Sequence, residues 1–248
     1  MSFHVVIPAR WASTRLPGKM LADIAGQPLA VRVAQRASQS GAESVVIATD
    51  HEDIANAART HGYAAIMTRQ DHLTGTDRLA QAADILQLAD EDIVVNVQGD
   101  EPLIDPGLID DLAKCLANAT QAVIATAATE IKDPDTLDNV NVVKVVCDAA
   151  SHALYFSRAA IPYVRHQVQG LAALHHIGIY AYRVRFLRMF PRLTPGLLEQ
   201  AESLEQLRAL EHGFKIHVLV TTRPHQSGVD TAADLEAVRA VFSQTKSK

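Results

Sequence analysis

Through its first half the chain alternates short β-branched runs with stretches of helical spacing, and that rhythm limits its architecture more than any other feature. Residues 5–8, 44–48, 93–97 and 122–126 are brief apolar runs bounded by polar or turn residues, which predicts strands. Residues 28–40, 53–60, 77–88 and 106–117 carry their apolar side chains at amphipathic helical spacing. Asp50 stands where it can cap the second of these helices, and Asp105, followed by Pro106, can cap the fourth. Strand–helix alternation calls for a mostly parallel sheet covered on both faces.

Near residue 135 the rhythm changes. Residues 141–146, 153–156 and 176–182 predict strands with few helices between them, hence an antiparallel patch over about 135–182 inserted into the α/β frame. A helix over 203–211, a strand over 215–220 and a final helix over 231–242 return to the first style. No repeat or linker divides the 248 residues, so a single α/β domain over 1–248 is expected. Its apolar fraction of 48% and charged fraction of 21% are those of an ordinary soluble globule. A net charge of −5 argues against a nucleic-acid partner. The first residues, "MSFHVVIPAR", lack a signal-peptide pattern, and no apolar run approaches the ~20 residues of a membrane span. A cytoplasmic protein without membrane insertion is expected. Cys115 and Cys147, without a CxxC or companion cluster, predict small interior thiols of a reduced protein.

In open α/β sheets ligands bind beyond the carboxyl ends of the strands. The loop over 9–20, "ARWASTRLPGKM", leaves the first strand at that edge and holds Arg10, Arg15 and Lys19 with no acid among them. Two guanidinium forks, an ammonium and the donors of a Ser-, Thr- and Gly-containing loop can neutralise a triphosphate. The loop is neither a Walker A sequence nor a GxGxxG fingerprint. By composition alone, a surface loop of scattered cations fits as well.

The strand "IVVNVQGDEPLI" delivers Asp100 to the same edge, where a carboxylate can hold magnesium. The alternative is a helix cap, for which Asp105 is better placed. In "SGVDT", Asp230 precedes the last helix and reads alone as its cap, or, paired with Asp100, as the second carboxylate of a metal site. None of the eleven histidines stands in an HExxH-like array. His176 and Tyr180, four apart on one strand, share a face and could line a pocket, although a core histidine fits equally.

The segments "IPARWASTRLPGKML", "ATDHEDIA", "HLTGTDRLAQA", "VVNVQGDEPLI", "ALYFSRAAIPY", "HHIGIYAYR", "LEQLRALEHGFKIHV" and "GVDTAADLEAV" together resemble the 3-deoxy-manno-octulosonate (Kdo) cytidylyltransferases from end to end and in order. The resemblance implies a nucleotide-diphospho-sugar transferase fold, Rossmann-like, with an antiparallel dimerisation insertion. It implies an enzyme that couples CTP with Kdo, using magnesium, to give CMP-Kdo and pyrophosphate for the lipopolysaccharide inner core, and a homodimer. By the same resemblance Arg10, Ser13, Arg15 and Lys19 grip the triphosphate, and Thr74, Gly75 and Arg78 lie by the base and ribose. Asp100 and Asp230 hold the metal and, with Lys19, form the catalytic set. Gln98, Arg158, His176, Tyr180, Glu205 and Gln206 surround the sugar acid, with Arg158 on its carboxylate. Two departures are Thr74 and Asp77, where the family commonly has serine and glutamate, and a short segment over 163–176 beside the sugar pocket. Related readings are activation of an 8-amino-Kdo or of sialic acid, or a catalytically silent nucleotide-binding dimer module.

Overall fold

The computed structural model describes residues 2–13, 15–72, 74–166, 168–225 and 228–245. Strand β1 (Phe3–Ala9) is buried along its whole length, as a strand covered on both faces must be. A short hairpin, β2 (Asp23–Ile24) and β3 (Gln27–Pro28), follows the basic loop and leads into α1 (Leu29–Ala37). The alternation continues with β4 (Ser44–Thr49), α2 (Glu52–Thr60), β5 (Ala64–Met67), α3 (Gly75–Ile85), β6 (Ile93–Asn96), α4 (Pro106–Asn118) and β7 (Ile124–Glu130). After α5 (Pro134–Asp138) come β8 (Lys144–Cys147), β9 (Ala153–Ser157) and β10 (Leu174–Arg183). Helices α6 (Val184–Met189), α7 (Leu197–Glu202) and α8 (Gln206–Glu211), strand β11 (Ile216–Val220) and helix α9 (Ala232–Thr245) complete the chain.

The strand order is β11-β7-β10-β6-β1-β4-β5. Strand β1 runs parallel to β4 on one side and to β6 on the other, so the winding reverses beside β1. That reversal opens a crevice at the carboxyl ends of the strands. Strand β10 lies inside the main sheet, antiparallel to both β6 and β7, while β8 and β9 form an antiparallel extension from its start.

Alternation along β1 feeds two cores. Phe3, Val5, Ile7 and Ala9 face α1, α2 and α4, whereas Val6 faces the α3, α6 and α8 side. A third, smaller cluster joins Ile24 and Leu29 to Val229, Leu235 and Val238, so α9 packs under the β2–β3 hairpin. Arg239 reinforces this by donating from Nε to the Asp23 carbonyl at 2.8 Å. The packing carries the C-terminal segment back to the loop that follows β1.

Most strands and helices fall where the sequence predicts them, with corrections. The α2 cap is His51, whose Nδ1 accepts from the Asp53 N–H, and not Asp50. Asp105 does cap α4, accepting from the Gly107 N–H at 2.7 Å. The helix expected over 203–211 starts only at Gln206, as α8, because Ser203, with a φ of 53°, ends the unexpected helix α7 just before it. Cys115 and Cys147 are half-buried rather than interior, and burial pushes both thiols up to about 11. No helix among the described residues is long and apolar enough to cross a membrane.

Candidate active site

The loop that leaves β1 turns at Gly18, whose φ of 69° is open to glycine at little cost. That turn starts a single helical turn over Lys19–Leu21, which buries Lys19 and Met20 and points Lys19 back beneath the loop. Gly99 follows β6, and a Cβ there would stand 2.7 Å from the Pro8 carbonyl. Its lack of a side chain therefore lets the loop after β6 press against the end of β1 and present Asp100. The C-terminal segment closes on the same point, with the Val229 N–H donating to the Asp100 carbonyl at 2.8 Å.

Three distant segments thus meet. Lys19 Nζ lies 2.7 Å from Asp100 Oδ2 and 3.3 Å from Asp230 Oδ1, and Arg15 reaches the same Asp230 oxygen at 3.1 Å. Asp230 is not the cap of α9; Thr231 takes that task, its Oγ1 accepting from the Asp234 N–H at 3.2 Å. Both aspartates keep solvent-facing oxygens, while Lys19 is nearly enclosed. Glu101, next in sequence, is buried and held up at about 8 by burial and by the Asp100 charge. Near neutral pH Glu101 therefore adds little negative charge to this turn.

Above the carboxylates lies a cleft of about 340 Å³ whose walls include Arg10, Ser13, Arg15, Gly75 and Gln98. A second cavity of about 180 Å³ shares Arg10, Gly75 and Gln98 with it and is closed by Tyr180, Glu205 and Gln206. Asn96, Thr76 and Tyr182 also line this second cavity, and the sequence reading missed all three. Asn96 could have been noticed as a polar side chain ending an otherwise apolar buried strand. Asn96 Oδ1, Glu205 Oε1 and Gln206 Nε2 are buried with no partner among the described residues. Such atoms are costly unless something polar meets them. Burial raises the Glu205 pKa, against hydrogen bonds from Thr74 and Thr76.

Three expected residues are engaged elsewhere. Thr74 caps α3 in a reciprocal box with Asp77, each side chain bonding the other's backbone N–H at 3.1 Å. Arg78 is wholly buried, paired with Asp50 at 2.9 Å and bonded to Thr68 Oγ1, and so faces neither cleft. Arg158 directs Nε to the Glu202 carbonyl at 2.8 Å and Nη1 to that of Val140 at 3.1 Å, and lines neither cavity.

His176 is buried behind Tyr180, with ring centroids 5.5 Å apart, and does share its face as alternation predicts. Burial, aided by His175 and His225, pushes its pKa down to about 3, so the ring is neutral. Thr126 Oγ1 stands 2.8 Å from the Ile179 carbonyl and 2.9 Å from His176 Nε2. With its one proton on that carbonyl, the threonine must accept from His176 Nε2–H, which leaves Nδ1 as a bare acceptor.

A basic loop, two carboxylates bridged by an ammonium and an adjoining polar cavity can take a phosphorylated ligand together with a hydroxylated one. A family model described as cytidylyltransferase matches residues 4–216. Among solved structures, the chain is similar to a CMP:2-keto-3-deoxy-manno-octonic acid synthetase complexed with CTP. The identity is 41%, over 99% of this chain and 100% of that one, with a TM-score of 0.92. A cytidylyltransferase from Leptospira borgpetersenii serovar Hardjo-bovis (strain JB197) is 20% identical over 98% of this chain and 87% of that one, with a TM-score of 0.64, and shares the fold. With a family model spanning most of its length and a full-length match well above the level at which fold alone is shared, the chain belongs to the cytidylyltransferase family.

Proposed function

We propose that this enzyme activates Kdo with CTP, forming CMP-Kdo and pyrophosphate. The full-length likeness to a CMP:2-keto-3-deoxy-manno-octonic acid synthetase supports this sugar acid. The observation that carries the reading is the convergence of Asp100 and Asp230 on the Lys19 ammonium at the floor of a cationic cleft. An ammonium held between two carboxylates marks a position where positive charge is stable. The same oxygen donors fit magnesium, which takes a few carboxylates and fills its remaining positions with phosphate oxygens and water. Asp100 and Asp230 would hold it; when bound, it supplies a Lewis acid that neutralises phosphate charge and orients the attacking oxygen.

The residues of the chain do the remaining work. Arg10, Arg15 and Lys19 bind the triphosphate, with Ser13 beside them, and stabilise charge that grows as pyrophosphate departs. Gly75, at the start of α3, lets the nucleotide approach the backbone. In the adjoining cavity Asn96, Gln98, Tyr180, Glu205 and Gln206 meet the sugar's hydroxyls, giving the orphaned buried atoms their partners. Arg10, which lines both cavities, lies where the sugar acid and the α-phosphate come together. The anomeric hydroxyl gives up its proton to solvent and its oxygen forms the new O–P bond to the α-phosphorus as the α–β bridging O–P bond breaks, releasing pyrophosphate. Arg158 contributes by tying the β9 end to α7, the helix just before Glu205 and Gln206. His176 acts behind Tyr180 as a neutral, oriented support.

The same reading includes a cytoplasmic homodimer that serves lipopolysaccharide inner-core synthesis. Exposed apolar side chains along the connection after β9, Tyr163, Val164, Val168 and Leu171, support self-association there. Pyrophosphate release tests the reaction: purified enzyme with CTP, magnesium and Kdo is set against 8-amino-Kdo and sialic acid. Turnover with Kdo at least about tenfold above either alternative is expected, a margin within reach of a few polar contacts. Equal or greater turnover with another acid overturns the choice of sugar, and no release with any of them overturns the activity.

A further inference from the structure

The basic loop is tied down at its second residue in two ways. The Trp11 N–H donates to Asp50 Oδ1 at 2.9 Å. The Trp11 indole stacks on His51, with ring centroids 3.8 Å apart and planes 11° from parallel. Both anchors sit just past the end of β4, the strand beside β1. The second Asp50 oxygen is held at 2.9 Å by Nη2 of the buried Arg78. Arg78 also donates from Nη1 to Thr68 Oγ1, whose own hydroxyl donates to the Thr49 carbonyl at 3.0 Å. A guanidinium so enclosed cannot neutralise a phosphate, but it can fix the carboxylate that fixes the loop.

We propose that Asp50 and His51 are positioning residues for the nucleotide, acting through Trp11. This rests on the reading of the loop as a triphosphate cradle. Asp100 and Asp230 hold the far end of the loop through Lys19 and Arg15, and a start left free would order only on binding. Pinning its start beforehand lowers that ordering cost and so tightens the nucleotide complex. Arg78 supports the nucleotide at second hand, through Asp50, rather than by touching base or ribose.

The two anchors can be separated. His51→Ala removes the stack and leaves the buried Asp50–Arg78 pair in place. Because Trp11 is the chain's single tryptophan, its fluorescence anisotropy reports the loop alone. The expected result is lower anisotropy in the free enzyme and a KM for CTP raised about three- to tenfold, the worth of one aromatic stack. The KM for Kdo moves less than about twofold, and His51→Phe restores both anisotropy and CTP affinity. Asp50→Ala alone strands a buried cation, so the Asp50→Ala/Arg78→Met double variant tests the second anchor with both charges removed. It is expected to raise the KM for CTP at least as far. Unchanged anisotropy and unchanged CTP affinity in His51→Ala overturn the proposal while the activity stands. A wild-type enzyme that binds no CTP removes the underlying function and the proposal with it.

Discussion

The Lys19 ammonium stands 2.7 Å from Asp100 Oδ2, joining residues 81 apart in sequence at the mouth of a parallel sheet. The same ammonium reaches Asp230, so one cation meets a carboxylate from mid-chain and another from the last segment. Lys19 thereby keeps two like charges at close range.

Replacing Lys19 therefore separates function from stability. Its partners are partly exposed, where an ion pair contributes about 1 kcal/mol or less. Lys19→Ala is expected to shift the melting temperature by no more than about 4 °C. If Lys19 stabilises the departing pyrophosphate as proposed, losing its charge is expected to lower kcat/KM for CTP about 100-fold or more. Steady-state kinetics beside a thermal melt checks both halves; a variant that merely unfolds makes the residue structural.

The second cavity predicts a different split. Asn96 Oδ1 is buried without a partner among the described residues, so removing it takes away no internal hydrogen bond. Asn96→Ala is expected to leave thermal stability nearly unchanged and raise the KM for Kdo about tenfold, the value of one polar contact. The KM for CTP should stay within about twofold. An equal rise for both substrates would take Asn96 out of the sugar pocket.

Acid sensitivity follows from His176. Its folded-state pKa is pushed down to about 3 from the ordinary 6.5, so between those values the unfolded chain binds more protons than the folded one. The stability contributed by the neutral ring is complete above pH 6.5 and is lost as the pH falls towards 3. Between pH 7 and pH 5 that loss amounts to about 2 kcal/mol, set almost wholly by titration of the unfolded chain. His176→Gln lacks the titration, so the stability difference between wild type and variant should shrink by about this amount over that range. Urea melts at the two pH values measure it, and a constant difference would mean that the ring takes up its proton in the fold as readily as in the unfolded chain.

How much of this was legible beforehand depended on how local each cause is. Strands β1, β4 and β6 announced themselves because burial on both faces demands a continuous apolar run. The "AAIM" of β5 did not: a four-residue strand at the sheet edge, partly exposed, has little pattern to offer. Nothing local says that β10 slots between β6 and β7, since alternation fixes the faces of a strand but not its neighbours. Asp100 stood out because Asp105 already answered for the cap beside it. Asp230 was ambiguous until Thr231 and Asp234 proved to cap α9 themselves. The family resemblance puts Arg78 and Arg158 at the ligands, yet each is satisfied by an acid or a carbonyl far along the chain. Such partners depend on tertiary packing and leave no mark in spacing.

The most direct measurement is the turnover of Asp100→Asn with CTP, Kdo and magnesium. The substitution keeps the shape and removes the charge that Lys19 meets and that the proposed magnesium would share. The expected outcome is a melting temperature within about 4 °C of wild type and a kcat lower by about two to three orders of magnitude. A folded Asp100→Asn enzyme that turns over within about threefold of wild type, less than any single charged ligand of the reaction is worth, would contradict it.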